Sequence, residues 1–239
     1  MTETLTGPTG TAIAVRPIVQ DELDRIVLRC WPDRDVLAKL FDGQGTIGMA
    51  AWEDGKCVGQ LHCYRVVLPD GPNAHWPMPY VSADERVFAG WGQWGPKRTE
   101  LGVTGPAWCN ACFHVGRTLL TQESDVADLR YFGRGIGTTL CRASIDWARE
   151  HDYAAVIAPG AAHGLPQFTQ WYGHLPWTTY DKLGFRKIEI PAEEIDVLPG
   201  WAKGEVHEPI ASEIKAAVDA GRPVHEILER VMVLDLSAS

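Results

Sequence analysis

The sequence predicts an α/β fold interrupted by insertions, and three observations lead to it. Gly133-Arg134-Gly135-Ile136-Gly137-Thr138 heads a strongly amphipathic helix, with apolar strands expected on either side at 107–115 and 153–158. Upstream, a strand and two helices precede a hairpin whose Glu53-Asp54-Gly55 turn carries the Asp-Gly signal. The segment 69–106 breaks the pattern and is too long for an ordinary connection, and further insertions are expected near 116–131 and 191–228.

Residues 1–11 are polar and are expected to be a flexible lead into a single domain over 12–236. They hold no basic region followed by an apolar core, so they do not read as a signal peptide. Residues 12–19 alternate as a first strand, and 21–30 and 33–41 read as two helices with Pro32 between them. Strands at 46–52 and 56–68 form the hairpin. The first insertion is rich in Pro, Gly and Trp, and Ser82-Ala83-Asp84-Glu85 fits a capping box for a short helix to about Ala89. Its Trp76, Tyr80, Phe88, Trp91 and Trp94 suit either the wall of a substrate cleft or a cover over a core face.

The strand at 106–115 contains Trp108-Cys109-Asn110-Ala111-Cys112. Strand alternation sends Cys109 and Cys112 to opposite faces, which argues against a redox pair. No second ligand pair accompanies His114, so no metal site is expected and the cysteines read as core thiols. The helix at 136–150 packs Ile136, Leu140, Ala143 and Trp147 on the core, with Gly137, Cys141, Ser144 and Ala148 alongside. After the strand at 153–158 comes 159–177, rich in Pro, Gly, His and Trp, and then Tyr180-Asp181-Lys182-Leu183-Gly184-Phe185, where Gly184 ends a helix. The last insertion carries a helix at 209–220 bounded by Pro209 and Gly221, with Ile210, Ile214, Ala217 and Val218 as its stripe. An apolar strand at 231–236 closes the chain.

The glycine run is the functional signal. Alternate glycines leave backbone N–H groups uncovered, and the helix behind them aims its unpaired amides and positive dipole end outward. A pyrophosphate fits such a site. The dinucleotide pattern G-x-G-x-x-G fails, because its third glycine falls on Thr138 or on Leu140. No Gly-Lys-Ser or Gly-Lys-Thr exists for a phosphate-binding Walker loop.

Phe132-x-x-Gly135-x-Gly137, or in a second register Arg130-x-x-Gly133-x-Gly135, resembles the [QR]-x-x-G-x-[GA] pyrophosphate loop of the GCN5-related N-acetyltransferases. The first register gives the usual helix start and puts Phe in the Gln/Arg place. Tyr180-x-x-x-Gly184-Phe185 is similar to that family's C-terminal motif, and the likeness covers about 107–190. The resemblance implies the acyl-CoA N-acyltransferase fold, a mixed, mostly antiparallel central sheet flanked by helices. It implies acetyl-CoA as co-substrate, with Gly133, Arg134, Gly135, Ile136, Gly137 and Thr138 on the pyrophosphate. It also implies that the pantetheine arm lies in a gap beside the strand at 106–115, bonded by the backbone of Phe113 and Val115, with one strand N–H polarising the thioester. Tyr180 would protonate the leaving thiolate.

The implied reaction is direct attack of a neutral primary amine on the thioester. An alkylamine has a pKa of about 10, so a base must take its proton. His114, Glu123, Asp125 and Asp128 are the candidates, and His114 lies nearest the strand end with an imidazole in the useful range. A formal charge of −9 argues against nucleic acid and anionic membranes as partners and favours a small cationic acceptor. No apolar run is long enough to span a bilayer, and six cysteines in 239 residues read as thiols of a cytoplasmic protein. Two rival readings remain, a nucleotide- or phosphate-binding enzyme and a non-catalytic acetyl-CoA sensor or interaction module. A homo-oligomer is left open.

Overall fold

The computed structural model describes residues 5–26, 34–66, 101–103, 105–116, 127–188, 208–227 and 230–237. Its strands are β1 (Leu5–Thr6), β2 (Ala12–Pro17), β3 (Gly48–Glu53), β4 (Lys56–Val66), β5 (Ala107–Val115), β6 (Ala155–Gly160), β7 (Arg186–Lys187) and β8 (Arg230–Asp235). Its helices are α1 (Arg34–Gln44), α2 (Ile136–Glu150), α3 (Pro166–Tyr172), α4 (Trp177–Lys182), α5 (Glu208–Asp219) and α6 (Val224–Ile227). The eight strands form one sheet in the order β1-β2-β3-β4-β5-β6-β8-β7. β5 and β6 run parallel, and the other pairs are antiparallel. This is the mixed, mostly antiparallel α/β sheet that the sequence predicts.

The sheet is buried on both faces. On one face Ile18, Ile47, Tyr64, Cys109 and Ile157 pack with Leu37 and Phe41 of α1. The other carries Met49, Leu61, Trp108, Phe113 and Val156 under α2, with Tyr180 and Phe185 alongside. The β3–β4 hairpin turns through Asp54 at φ 46° and Gly55 at φ 77°, the left-handed pair that a two-residue hairpin needs. A smaller cluster joins Ala161, Ala162 and Leu165 to Ile214 of α5 and Ile227 of α6.

Two local expectations are corrected. Leu5–Thr6 pairs with Ala12 and Ile13, although 1–11 was expected to be flexible. The turn between them closes by Gly7 N–H donating to Thr11 O at 2.8 Å, and Leu5 packs against the α2-side core. The helix expected at 21–30 begins as a 3₁₀ turn over Gln20–Arg25, and residues 27–33 lie outside the described residues. The segment 159–177 contains α3, which forms with Pro166 in its first turn and stops at Gly173, φ 70°. Most of the first insertion, with its Ser82 capping box and the aromatic cluster Trp76 to Trp94, lies outside the described residues, as do 117–126 and 189–207.

α2 spans the residues that the sequence predicts, and a buried polar clamp fixes it on β5. Trp108 Nε1 donates to Ser144 Oγ at 2.9 Å, and Ser144 Oγ donates to Asn110 Oδ1 at 2.5 Å. Asn110 Nδ2 reaches Cys141 Sγ at 3.5 Å. Every one of these side chains is fully buried, so no water replaces a lost partner. Ser144→Ala strands the indole N–H and leaves Asn110 Oδ1 only the Cys63 thiol, 3.5 Å away. It should cost about 1–3 kcal/mol for the stranded indole, read as a lower denaturation midpoint in urea.

Candidate functional site

The cleft begins where β5 leaves β6. The parallel pair holds over Ala107–Ala155, Trp108–Val156 and Cys109–Ile157 and then stops. On the other side of β5, His62 faces Cys112 while Cys63 faces Asn110, so Ala111 is an extra residue without an opposite number. Such a bulge bends its strand and increases its twist. It also breaks the alternation. Cys112 joins Cys109 against the α1-side core, which corrects the expectation of opposite faces.

A cleft of about 250 Å³ opens at this divergence, lined by Phe113, His114 and Val115 of β5, by 131–138 without Arg134, and by Thr169, Gln170, Gly173, His174 and Leu175. The glycine loop lies along one wall. Gly133 has φ 70° and Gly135, the N-cap of α2, has φ 78°. A Cβ at Gly133 would meet nothing within 4 Å, so the loop backbone is open to a ligand. The first intrahelical bond visible at this end runs from Thr139 N–H to Gly135 O at 2.9 Å, which leaves the amides of Ile136, Gly137 and Thr138 without helical acceptors. All three residues line the cleft.

Arg134 is the one residue of 131–138 that does not line the cleft. Its guanidinium turns away and donates from Nε to Arg130 O at 2.6 Å and from Nη1 to Thr6 O at 3.5 Å. Its contribution to the loop is its backbone. Phe132, in the Gln/Arg place of the family pattern, stands 38% exposed at the cleft mouth.

The loop is anchored by residues that the sequence reading missed. Tyr131 Oη donates to Glu53 Oε2 at 2.5 Å, and Thr9 Oγ1 donates to Glu53 Oε1 at 2.9 Å. Burial, then the hydrogen bond to Glu53, pushes the Tyr131 phenol up to about 12. The 3₁₀ turn Leu129–Tyr131 is capped by Asp128, which accepts from Arg130 N–H at 3.1 Å, and Asp128 N–H donates to Gly116 O at 2.8 Å. Asp128 is thus a cap bound to Arg130, at the loop's entry. Glu123 and Asp125 lie outside the described residues.

The gap between β5 and β6 is filled by the chain itself. Phe113 N–H, expected to face a pantetheine arm, donates to Gly173 O at 2.6 Å. Farther along, Ala161 N–H donates to Leu175 O and Trp177 N–H to Ala161 O, both at 2.9 Å. Gly173 to Trp177 therefore runs in the wedge much as a short strand would. Val115, two residues beyond Phe113, presents its amide to the same edge by strand alternation. Gly173 fits because it lacks a side chain: a Cβ there would stand 2.6 Å from Phe113 O.

His114 lines the cleft and is 6% exposed, with Nε2 3.1 Å from Cys112 Sγ and its ring centroid 5.1 Å from that of His62. Tyr180 is placed behind the cleft rather than in its lining. It is fully buried, packs edge-on against Phe185 at 5.0 Å, and its hydroxyl has no hydrogen-bond partner among the described residues. Burial holds that phenol well above its ordinary range, with the neighbouring Cys141 and Cys109 adding to the shift. Among the described residues, no group of three or more His, Cys, Asp or Glu is placed to hold a metal ion, and no helix is long and apolar enough to cross a membrane.

Replacing Tyr131 by Phe removes the hydroxyl donor to Glu53 and loosens the entry to the glycine loop. A hydrogen bond to a charged group contributes about 1.5–3 kcal/mol. Tyr131→Phe should lower the urea midpoint by that order and raise amide exchange at 129–135. An unchanged midpoint and exchange pattern would show that Thr9 alone holds Glu53.

Neither a protein-family model nor a curated protein sequence matches the chain. Among solved structures, it is similar to a putative arylalkylamine N-acetyltransferase from the yellow fever mosquito Aedes aegypti. The TM-score is 0.54 at 13% identity, over 97% of this chain and 92% of that one. It also matches a GNAT-like decarboxylase in complex with isobutyryl-CoA at TM-score 0.45 and 14% identity, over 93% and 99% of the two chains. The GNAT domain of S. lividans PAT gives 0.43 and 12%, over 98% and 96%. The mixed sheet, the divergence of β5 from β6, the glycine-headed helix and the first of these likenesses agree: the chain has the acyl-CoA N-acyltransferase fold of the GCN5-related N-acetyltransferases.

Proposed function

We propose that the protein is an acetyl-CoA-dependent N-acetyltransferase that transfers the acetyl group to a primary amine of a small molecule by direct attack on the thioester. The observation that carries this reading is the cleft itself, which joins a glycine-lined helix N-terminus to the edge of a strand that diverges from its neighbour. The parts suit the parts of acetyl-CoA. The amides of 133–138 offer unpaired donors to a pyrophosphate, and the edge of Phe113 and Val115 offers strand-like donors and acceptors to the amides of a pantetheine arm.

In this reading His114 accepts the proton that the amine loses, either directly or through water, and Phe113 N–H steadies the oxygen on which charge develops. That N–H is exchanged from Gly173 O to the thioester oxygen on binding. Tyr180 serves as a hydrogen-bond donor to the departing sulfur once coenzyme A displaces the lining that covers it. Its raised pKa keeps the phenol protonated, so it steadies the thiolate rather than surrendering its proton outright. The unpartnered hydroxyl supports the role, since a buried donor costs stability unless some state of the protein gives it an acceptor. The acidic balance of the chain favours a cationic acceptor.

A second reading, a non-catalytic acetyl-CoA-binding module, is favoured by the same Gly173 contact, because it occupies the donor that catalysis needs. Thiol release across a panel of aryl- and alkylamines separates the two. Turnover with any amine supports the enzyme, and tight coenzyme A binding with no release supports the sensor. Two variants test the site. Gly135→Val forces a β-branched residue to φ 78° beside the pyrophosphate position, and should weaken coenzyme A binding at least about tenfold, equivalent to 1.4 kcal/mol. Parental affinity in a folded variant would move the site elsewhere. Tyr180→Phe removes a stranded hydroxyl, so the denaturation midpoint should hold or rise while kcat falls by about 10²-fold. Parental kcat with chemistry rate-limiting would return Tyr180 to packing.

A further inference from the structure

Coenzyme A is too large for the cleft to enclose. The cavity holds about 250 Å³. That falls below the range of about 300–1,000 Å³ that holds a drug-sized ligand, and coenzyme A is larger than that class. A thioester in the gap beside β5 and a pyrophosphate on the amides of Ile136, Gly137 and Thr138 use up its depth. The adenosine end, on the far side of the pyrophosphate from the pantetheine arm, therefore leaves through the mouth. The side chain that stands there is Phe132. Of the aromatic and imidazole side chains that line the cleft, Phe113, His114, Tyr131 and His174 are buried, whereas Phe132 is 38% exposed.

That exposure is built into the backbone. Leu129–Tyr131 is a 3₁₀ turn, and Phe132 N–H donates to Leu129 O at 3.0 Å. Side chains three apart on such a turn lie on the same side of it, so Leu129, 66% exposed, stands beside Phe132. Asp128 caps the start of the turn, and Glu53 holds its last residue, Tyr131. Phe132 thus faces solvent from a fixed support. Scattered apolar side chains are ordinary on a surface. Here, of the four large ones exposed among the described residues, two sit on this one turn. Next to them, a Cβ built on Gly133 would meet nothing within 4 Å. Gly133 therefore puts no side chain between the Phe132 ring and the helix amides.

We infer that Phe132 is the platform on which the adenine ring of coenzyme A stacks, with Leu129 extending its apolar surface. The inference rests on the acyl-CoA reading of the cleft. A purine laid flat on a phenylalanine buries its π-face and keeps its hydrogen-bonding edge in water, so the stack needs no polar partner. The neighbouring cations are engaged elsewhere, Arg130 by Asp128 and Arg134 by the carbonyls of Arg130 and Thr6. The apolar ring is what this turn has to offer the nucleoside. Phe in the Gln/Arg place of the family pattern thus gives the far end of the coenzyme a flat seat, while the glycine loop holds its middle.

The test compares, by calorimetry on the full chain, coenzyme A with 4′-phosphopantetheine, which keeps the arm and one phosphate and lacks the nucleoside. Where the smaller ligand is too weak to titrate, it is read by competition with coenzyme A. Phe132→Ala should weaken coenzyme A binding about tenfold and leave 4′-phosphopantetheine unchanged. Phe132→Leu, which keeps apolar bulk and loses the ring, should fall with alanine, and Phe132→Trp should match or exceed the parent. The exposed position lets all three variants fold, which their urea midpoints check. Equal loss of both ligands in Phe132→Ala would make the residue a support of the glycine loop. Parental coenzyme A affinity in that variant would place the nucleoside elsewhere, and parental affinity in Phe132→Leu would reduce the stack to simple apolar contact. A parental dimer that Phe132→Ala dissociates, with coenzyme A affinity unchanged, would give the apolar pair to a contact between copies. Each of these outcomes overturns the inference and leaves the acyl-CoA reading standing. If the parent binds neither ligand, both fall.

Discussion

Everything at this site depends on the short parallel pairing of β5 with β6. The pair lasts three residues and ends because β5 inserts Ala111 opposite β4 and turns away. The strand keeps its antiparallel partner on one side while its other edge is released, so Phe113 and Val115 point backbone groups into a gap instead of into a ladder. The same bulge decides which side chains share a face. It sets Cys112 on the side of Cys109, and puts Phe113 and Val115 against α2.

α2 has to sit where its open amides meet that gap, and two buried polar sets hold it there. At mid-helix the Trp108–Ser144–Asn110 clamp fixes the helix to β5 below the point of divergence. Ahead of the helix, Glu53 gathers the Tyr131 and Thr9 hydroxyls, tying the approach to the glycine loop to the end of β3 and to the N-terminal turn. In between, Gly59 lets the helix lie close to the sheet, since a Cβ there would stand 2.7 Å from Ile136 Cγ2. The glycine loop is therefore held from both ends.

Much of this was legible because it is written in local pattern. The α2 boundaries follow from its periodicity and its glycine head, the hairpin from Asp54-Gly55, and the cap at Gly184, φ 88°, from Leu183-Gly184-Phe185. Loop residues Gly133, Gly135, Ile136, Gly137 and Thr138 line the cleft for the same reason. What escaped depends on pairing between distant segments. The face of Cys112 is set by a bulge visible only in the register against β4. Arg134 turns toward Thr6 because a strand forms at Leu5–Thr6, where composition suggested only a polar tail. Glu53 and Tyr131 are 78 residues apart and carry no shared motif. Gly173 and His174 enter the cleft because 159–177 folds back through α3, and their importance lies in where that segment lands rather than in its composition.

The divergence of β5 from β6 would otherwise leave a sheet edge inside the molecule. Unpaired strand edges are templates for another chain, and natural proteins cover, charge or bend them to avoid stacking on their neighbours. Phe113 is flanked by Cys112 and His114, with no lysine or proline in β5 to discourage a visiting strand. Gly173 and Leu175 supply the cover by bonding to Phe113 and Ala161. The segment that narrows the cleft thus also protects against aggregation, so a substitution that frees the cleft by expelling Gly173 exposes adhesive backbone whenever the cleft stands empty.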